Sequence, residues 1–331
     1  MPAGGASAGD ADGRRGEAGR ALMATASPAA PATRATWAVP LALGVVWFSS
    51  GANFLAFKVA VGTIPPFLMI AVRLLVAGVL LLPISLCVER GGWPSGTQWR
   101  NVAVMAVLLL VIGQGAVVWG VQYLPAGTTA VFVSSTPLWL ALFERLRGHP
   151  LTRRALIGLG LGFAGLVVLS TAGGGEGSVD PVAVAAVLAG AAAWAAGSLV
   201  GHDADVPPAF TGTALQMLIA GAVLAAVAFG SGEVAGFEPE QVSRRSIHAL
   251  GYLIVVGSMI GFGGFVWLTH AASPTLTGTF AYVGPVVALA LSAWLLDEPL
   301  TAPKLGAAAL ALAGVALMAT GARPKQRPCG Q

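Results

Sequence analysis

Five residues sit in long apolar stretches where their side chains could recognise a small solute: Asn53, Arg73, Gln114, Trp194 and Tyr282. A guanidinium offers five donors and a permanent charge. Within a membrane helix such a group costs about 2.5–3.5 kcal/mol, so it faces a cavity or partner, unless its long stem snorkels to the interface. Arg73 lies seven residues into its run, roughly 10 Å deep at 1.5 Å per residue. Its counterpart in a second, similar run is close to Gln216, also polar. Asn53 and Gln114 are amides that suit either a solute or hydrogen-bonding between helices. Trp194 and Tyr282 lie well inside their runs, where interfacial belts explain aromatics less well than stacking on a solute does. Pro137, after Ser134-Ser135-Thr136, and Pro285 remove a backbone donor mid-run and are expected to act as hinges.

Other chemistry has little to stand on. His149, His202, His248 and His270 all fall at run ends, and no His-Glu-x-x-His, Gly-x-Ser-x-Gly or Gly-x-x-x-x-Gly-Lys-Ser/Thr pattern occurs. Cys87 and Cys329 are far apart and have no metal-ligand spacing. No cofactor is expected. Glu144 is the one acid inside a run; Arg145 follows it at the run's end, so a solvated ion pair competes with a proton-coupling role. Lys58 closes the first run as an interfacial anchor or an anion-attracting gate, and Asp297 and Glu298 read as loop residues.

These side chains need elements to position them, and composition says which. Of 331 residues, 56% are hydrophobic and 10% charged, with mean hydropathy +0.80; soluble domains carry about 25% charged residues. The formal charge of +4 comes from basic residues in short loops, which argues against nucleic acid as partner. Lipid is the expected surroundings. Ten apolar runs follow Trp37: 37–57, 66–88, 101–123, 126–145, 153–172, 180–201, 209–230, 247–270, 274–296 and 302–321. Most approach the 20 residues that cross a bilayer as helix. Residues 1–36, rich in Gly, Ala, Ser, Arg and Asp, read as a disordered tail, and 323–331 as a second tail.

Lys and Arg set the orientation. With the N-terminus inside, thirteen of the 18 basic residues fall in inner segments, four (Lys58, Arg244, Arg245 and Lys304) in outer ones, and Arg73 in a span. Both termini are expected in the cytoplasm of a multi-pass cell-membrane protein.

The chain also repeats itself. Gly113-Gln114-Gly115-Ala116-Val117-Val118-Trp119 matches Gly261-Phe262-Gly263-Gly264-Phe265-Val266-Trp267, Pro65-Pro66 matches Pro207-Pro208, and Ala77-Gly78 matches Ala220-Gly221. Pro125 and Pro137 match Pro274 and Pro285, and His149-Pro150-Leu151-Thr152 matches Glu298-Pro299-Leu300-Thr301. The halves are 37–172 and 173–322. Each holds five runs, an odd number, so the second is inverted with respect to the first, a plan that places a substrate site between halves. Gly158, Gly160, Gly162 and Gly165, with Gly306 and Gly314, give flat faces for close packing, either within the chain or in a homodimer.

Ser50-Gly51-Ala52-Asn53-Phe54-Leu55-Ala56-Phe57-Lys58-Val59-Ala60 with Pro65-Pro66 and Arg73 resembles the opening of EamA-type members of the drug/metabolite transporter superfamily. Ala281-Tyr282-Val283-Gly284-Pro285 and Leu296-Asp297-Glu298-Pro299-Leu300-Thr301 resemble that family's ninth span and the following loop. Ser50, His149 and Gly284 depart from the usual Trp, Glu and Asn. The resemblance implies an all-α membrane protein of ten spans, working by alternating access as a carrier, often an exporter, of amino acids, other metabolites or drugs. A membrane-embedded enzyme and a channel are the rival classes.

Overall fold

The computed structural model describes residues 38–89, 93–171, 180–271, 276 and 279–321. The tails at 1–36 and 323–331, with Cys329, and the matched Pro274 lie outside the described residues. Within them the chain is helical and has no strand: α1 (Ala38–Ala60), α2 (Pro66–Val88), α3 (Gly96–Gly120), α4 (Ala126–Leu146), α5 (Arg153–Thr171), α6 (Pro181–Asp203), α7 (Ala209–Gly230), α8 (Arg244–Tyr252, Leu253–Ile260 and Gly261–Ala271, continuous), α9 (Phe280–Leu295) and α10 (Ala302–Gly321). Helices α1 to α8 each hold a segment long and apolar enough to cross a bilayer; α9 and α10 contribute shorter apolar stretches.

Local chemistry explains where the helices start. Ser95 accepts from the Gln98 amide while the Gln98 side chain bonds the Ser95 N–H, a reciprocal cap that begins α3 several residues before its apolar run. Asp180 caps Val182 and Ala183 at the start of α6, with Pro181 in the first turn, where a missing N–H costs nothing. Ser243 accepts from Ser246 at the start of α8. Pro65 and Pro208 precede α2 and α7 at matching places.

The helices of the two halves pair with each other. α2 packs along α7 and α5 along α10; α6 lies against α3 and α4, and the first part of α4 against α9. The α5–α10 contact depends on missing side chains. A Cβ on Gly314 would stand 2.3 Å from the Gly162 nitrogen, and one on Gly165 would stand 2.4 Å from the Ala311 nitrogen. These glycines are therefore used inside the chain. Gly160 and Gly306 have nothing within 4 Å of a built Cβ.

Two helices contain π-helical turns, at Ala106–Gln114 in α3 and Leu253–Ile260 in α8. The first runs into the repeated Gly-x-Gly motif, ending at Gln114, and the second ends at Ile260, directly before its copy. Such wide turns loosen the i→i−4 ladder and occur often at functional sites. Two apolar clusters fill the interior: one centred on Phe57, Met69, Ile70, Leu74 and Leu224, the other on Phe132, Leu138, Leu169 and Val187.

Candidate functional site

Arg73 is the eighth residue of α2 and its side chain is turned inward, only 4% exposed. Its Nε donates to Ser258 Oγ at 3.1 Å. Ser258 Oγ in turn donates to the Leu253 carbonyl, five residues back, at 3.0 Å. Both groups belong to the π-helical turn of α8, which leaves a carbonyl within reach of a serine on the α2 side. The guanidinium carbon lies 5.0 Å from the centroid of the Phe57 ring of α1, a cation–π distance. Tyr252, at the turn's start, is within electrostatic reach.

Asn53 lies four residues before Phe57, on the same face of α1. Gly257 joins it to Arg73: a Cβ there would stand 2.5 Å from Asn53 Oδ1 and 3.5 Å from Arg73 Nη2. Helices α1, α2 and α8 thus bring a polar cluster together where they cross, packed closely at Gly257. Arg73 Nη1, Asn53 Oδ1 and the Tyr252 hydroxyl are buried without a hydrogen-bond partner in the protein. Among the described residues no carboxylate stands within ion-pair distance of Arg73.

The other expected residues are placed separately. Gln114 ends the π-helical turn of α3, and its Oε1 is also buried and unpartnered. Trp194 of α6 lies beside this turn, its Cε3 3.3 Å from where a Gly113 Cβ would be, and is 37% exposed. Tyr282 is half-buried against the second apolar cluster. Gln216, the counterpart of Arg73, reaches Met105 just before the α3 π-helical turn, 3.9 Å from nitrogen to sulfur. Pro137 opens the second segment of α4 after a break at Ser134-Ser135, where both hydroxyls bond carbonyls three residues back. Pro285 is buried inside α9. A separate depression of about 420 Å³, lined by Arg147, Leu199, Val200, Asp203 and Ala204, involves none of the expected site residues.

Beyond this cluster, charged side chains close the helix ends. Lys58 donates to the carbonyls of Val121, Gln122 and Leu124 at 2.8, 2.9 and 3.0 Å, holding the end of α3 rather than reaching outward. The Glu298 carboxylate accepts from the Ala126 and Gly127 amides at the start of α4. Glu89, just past α2, accepts from Phe210 and Thr211 at the start of α7. Glu233, just past α7, accepts from Leu68 at the start of α2. Each of these antiparallel helices is capped by a glutamate that follows the other. Burial pushes the Glu233 carboxyl above its ordinary range, against the lowering effect of the backbone donors. Glu144, by contrast, pairs with Arg147 and His149 at the surface.

Ser258, Tyr252 and the capping glutamates escaped sequence reading. Serine and tyrosine are unremarked in an apolar helix, and the caps join residues more than 120 positions apart. The doubled Gly-x-Gly motif was the available signal, because it marks both π-helical turns.

Apolar helices of spanning length, a buried guanidinium and paired halves define a multi-pass helical membrane protein with an internal polar cluster. The sequence profile of the EamA-like transporter family matches residues 36–171 and again 181–320, and the chain belongs to that family. Among its relatives, the "uncharacterized inner membrane transporter YedA" of Escherichia coli is 35% identical over 262 residues, 78% of this chain and 82% of the relative. The "uncharacterized transporter YvbV" of Bacillus subtilis is 28% identical over 84% of this chain and 89% of its own. A "WAT1-related protein", At3g02690 of Arabidopsis thaliana, is 26% identical over 85% and 69%. One crystal structure of a protein superposes with TM-score 0.59 and 19% identity, covering 86% of this chain and 99% of that one. That likeness concerns the fold alone.

Proposed function

We propose that this membrane transporter is a secondary carrier that exports a small metabolite, an amino acid or drug-like compound, by alternating access. In this reading ten spans form two inverted five-helix halves in the cell membrane, with both termini cytoplasmic. Asn53, Arg73, Gln114, Trp194 and Tyr282 line the solute's path, and Pro137 and Pro285 serve as hinges. One observation carries the reading: Arg73 Nη1 and Asn53 Oδ1, both buried without a partner, lie against Gly257 where helices of the two halves cross. A structural polar pair would satisfy itself, whereas a binding site keeps atoms free for its solute. The reciprocal caps by Glu89 and Glu233, and the π-helical turns at matching positions, support halves related by inversion.

The test is purified protein in sealed liposomes, assayed for uptake of radiolabelled amino acids and common metabolites with and without a pH gradient. Saturable uptake is the expected result, and its dependence on the gradient or on preloaded solute separates coupling from exchange. Alanine variants at the five positions are expected to change the saturation kinetics. Kinetics unchanged in all five would remove those residues from the path.

A further inference from the structure

We infer that the depression between the ends of α4 and α6 binds an anionic phospholipid of the surrounding bilayer, with an acyl chain against α6 and the phosphate among the arginines that end α4 and begin α5. The site shares no residue with the solute path proposed above. The depression holds about 420 Å³. Leu199 and Val200, in the last turns of α6, and Ala204, just past it, give it an apolar wall, and the protein covers each of them only in part. Arg147, just past α4, and Asp203, at the end of α6, supply its charged lining.

Wall and charge together select the ligand. A free anion would meet the arginines and leave the apolar wall wet, whereas an apolar solute would cover the wall and leave the charge unanswered. A molecule that satisfies both is an amphiphile, and the bilayer supplies one where apolar helices give way to charged loops. Arg145, Arg147, Arg153 and Arg154 are all exposed and fall within ten residues of chain. Arg147 is held in place: its Nη2 donates to Asp203 Oδ2 at 2.7 Å, and its Nη1 lies 3.8 Å from Glu144. A guanidinium has five donors, so others remain for a phosphate. His149 and His202 also engage Glu144 and Asp203, at 2.7 and 2.8 Å. Among the described residues no carboxylate stands within ion-pair distance of Arg145, Arg153 or Arg154. This corner therefore keeps unanswered positive charge, the complement of a phosphodiester. Basic pockets between membrane helices bind anionic headgroups in this way. Leu146, 75% exposed between Arg145 and Arg147, adds apolar surface on the α4 side.

The experiment uses the full chain, purified in an uncharged detergent and stripped of lipid. Native mass spectrometry counts bound lipid, and thermal unfolding reports stabilisation. Phosphatidylglycerol, phosphatidylcholine and inorganic phosphate are titrated separately at matched ionic strength. Phosphatidylglycerol is expected to be retained and to raise the unfolding temperature, and the other two to do neither at the same concentration. The triple variant Arg145→Gln, Arg153→Gln, Arg154→Gln should weaken phosphatidylglycerol binding about a hundredfold, at roughly fivefold for each basic residue removed. Ala204→Trp, which fills the depression, should weaken it with every arginine in place. The paired change Arg244→Gln, Arg245→Gln, at two exposed arginines that begin α8, should leave it unchanged. Without lipid the triple variant should unfold where the unmodified protein does, because it alters exposed side chains alone.

Equal retention of phosphatidylcholine would overturn the inference, since the headgroup charge would then select nothing. So would a response to inorganic phosphate that matches the lipid's, which would mean a site for free anions. A loss in the Arg244 and Arg245 variant as large as in the triple variant would assign the effect to surface charge at large and sink the site. Unchanged binding in Ala204→Trp would remove the depression from it. Should Ala204→Trp fold poorly, Leu199→Asn makes the same wall polar and carries the same expectation.

Discussion

Replacing Glu89 by alanine will destabilise the protein more than the same change at Glu233, and the structure supplies the size of the gap. Glu89 accepts from the Phe210 and Thr211 amides at 2.8 and 2.9 Å and from the Thr211 hydroxyl at 2.8 Å. It thereby serves two of the four amides that a helix start leaves unpaired, at the end where the helix dipole favours an anion. Losing a side-chain cap of this kind costs about 0.5–2 kcal/mol, and the doubled contact places Glu89→Ala near 2. Glu233 accepts from Leu68 at 2.9 Å, and burial pushes its carboxyl up, which offsets part of the gain; about 1 kcal/mol is expected for Glu233→Ala. Glutamine at either site keeps one acceptor and should restore roughly half. Reversible unfolding in mixed micelles, followed by tryptophan fluorescence, gives the values directly. A Glu233→Ala cost equal to or above that of Glu89→Ala would refute the reasoning, as would two silent variants.

Three further outcomes are expected. Gly314→Val will drive a side chain into the Gly162 backbone, 2.3 Å from the Cβ position, and lower stability by about 1–3 kcal/mol, whereas Gly306→Ala, with open space around it, will be neutral in the same unfolding assay. Lys58→Met will strip three carbonyls at the end of α3 of their donor and cost about 2 kcal/mol; an unchanged unfolding midpoint would mean the lysine only anchors the interface. Because the folded Glu233 carboxyl sits above its ordinary range, its contribution is present below the unfolded carboxylate range and is lost as pH rises through the raised value. Midpoints measured from acidic to neutral pH should therefore show Glu233→Gln gaining on the unmodified protein as pH increases.

Much of the helical frame could be read from the chain, because lipid imposes it. Apolar runs of bilayer length leave a backbone little choice but helix, and the runs correspond to α1 through α10 within a few residues, except that α9 starts at Phe280 and most of the opening of the 274–296 run lies outside the described residues. The larger shifts have local causes. α3 begins at Gly96 because Ser95 and Gln98 cap it, and it ends at Gly120 because Lys58 gathers the carbonyls that follow. Arg73 was legible because a charge in an apolar run has few explanations. Its companions were not. Ser258 and Asn53 lie 185 and 20 positions from it, and what joins them is the packing of α8 and α1 on α2, which no periodicity within one helix encodes. Glu298 read as a loop acid, and Glu89 and Glu233 were not singled out, for the same reason: each finds its helix start in the other half of the chain.

The paired frame and the polar cluster at Arg73 obey different logic. The frame repeats: α2 and α7 cap one another, and a π-helical turn adjoins the Gly-x-Gly motif in each half. The chemistry does not. The shift that lays the Gly113 motif on the Gly261 motif sets Ser258 against Leu110, which is buried among apolar side chains, and Tyr252 against Val104. Arg73 answers to the neutral Gln216, whose amide reaches only a thioether. A chain with two equivalent polar clusters would carry two buried charges. Among the described residues, a single buried guanidinium stands at one of the two similar helix crossings. The likeness of the halves therefore lies in their helix frame, and their difference lies in the polar residues packed around Arg73.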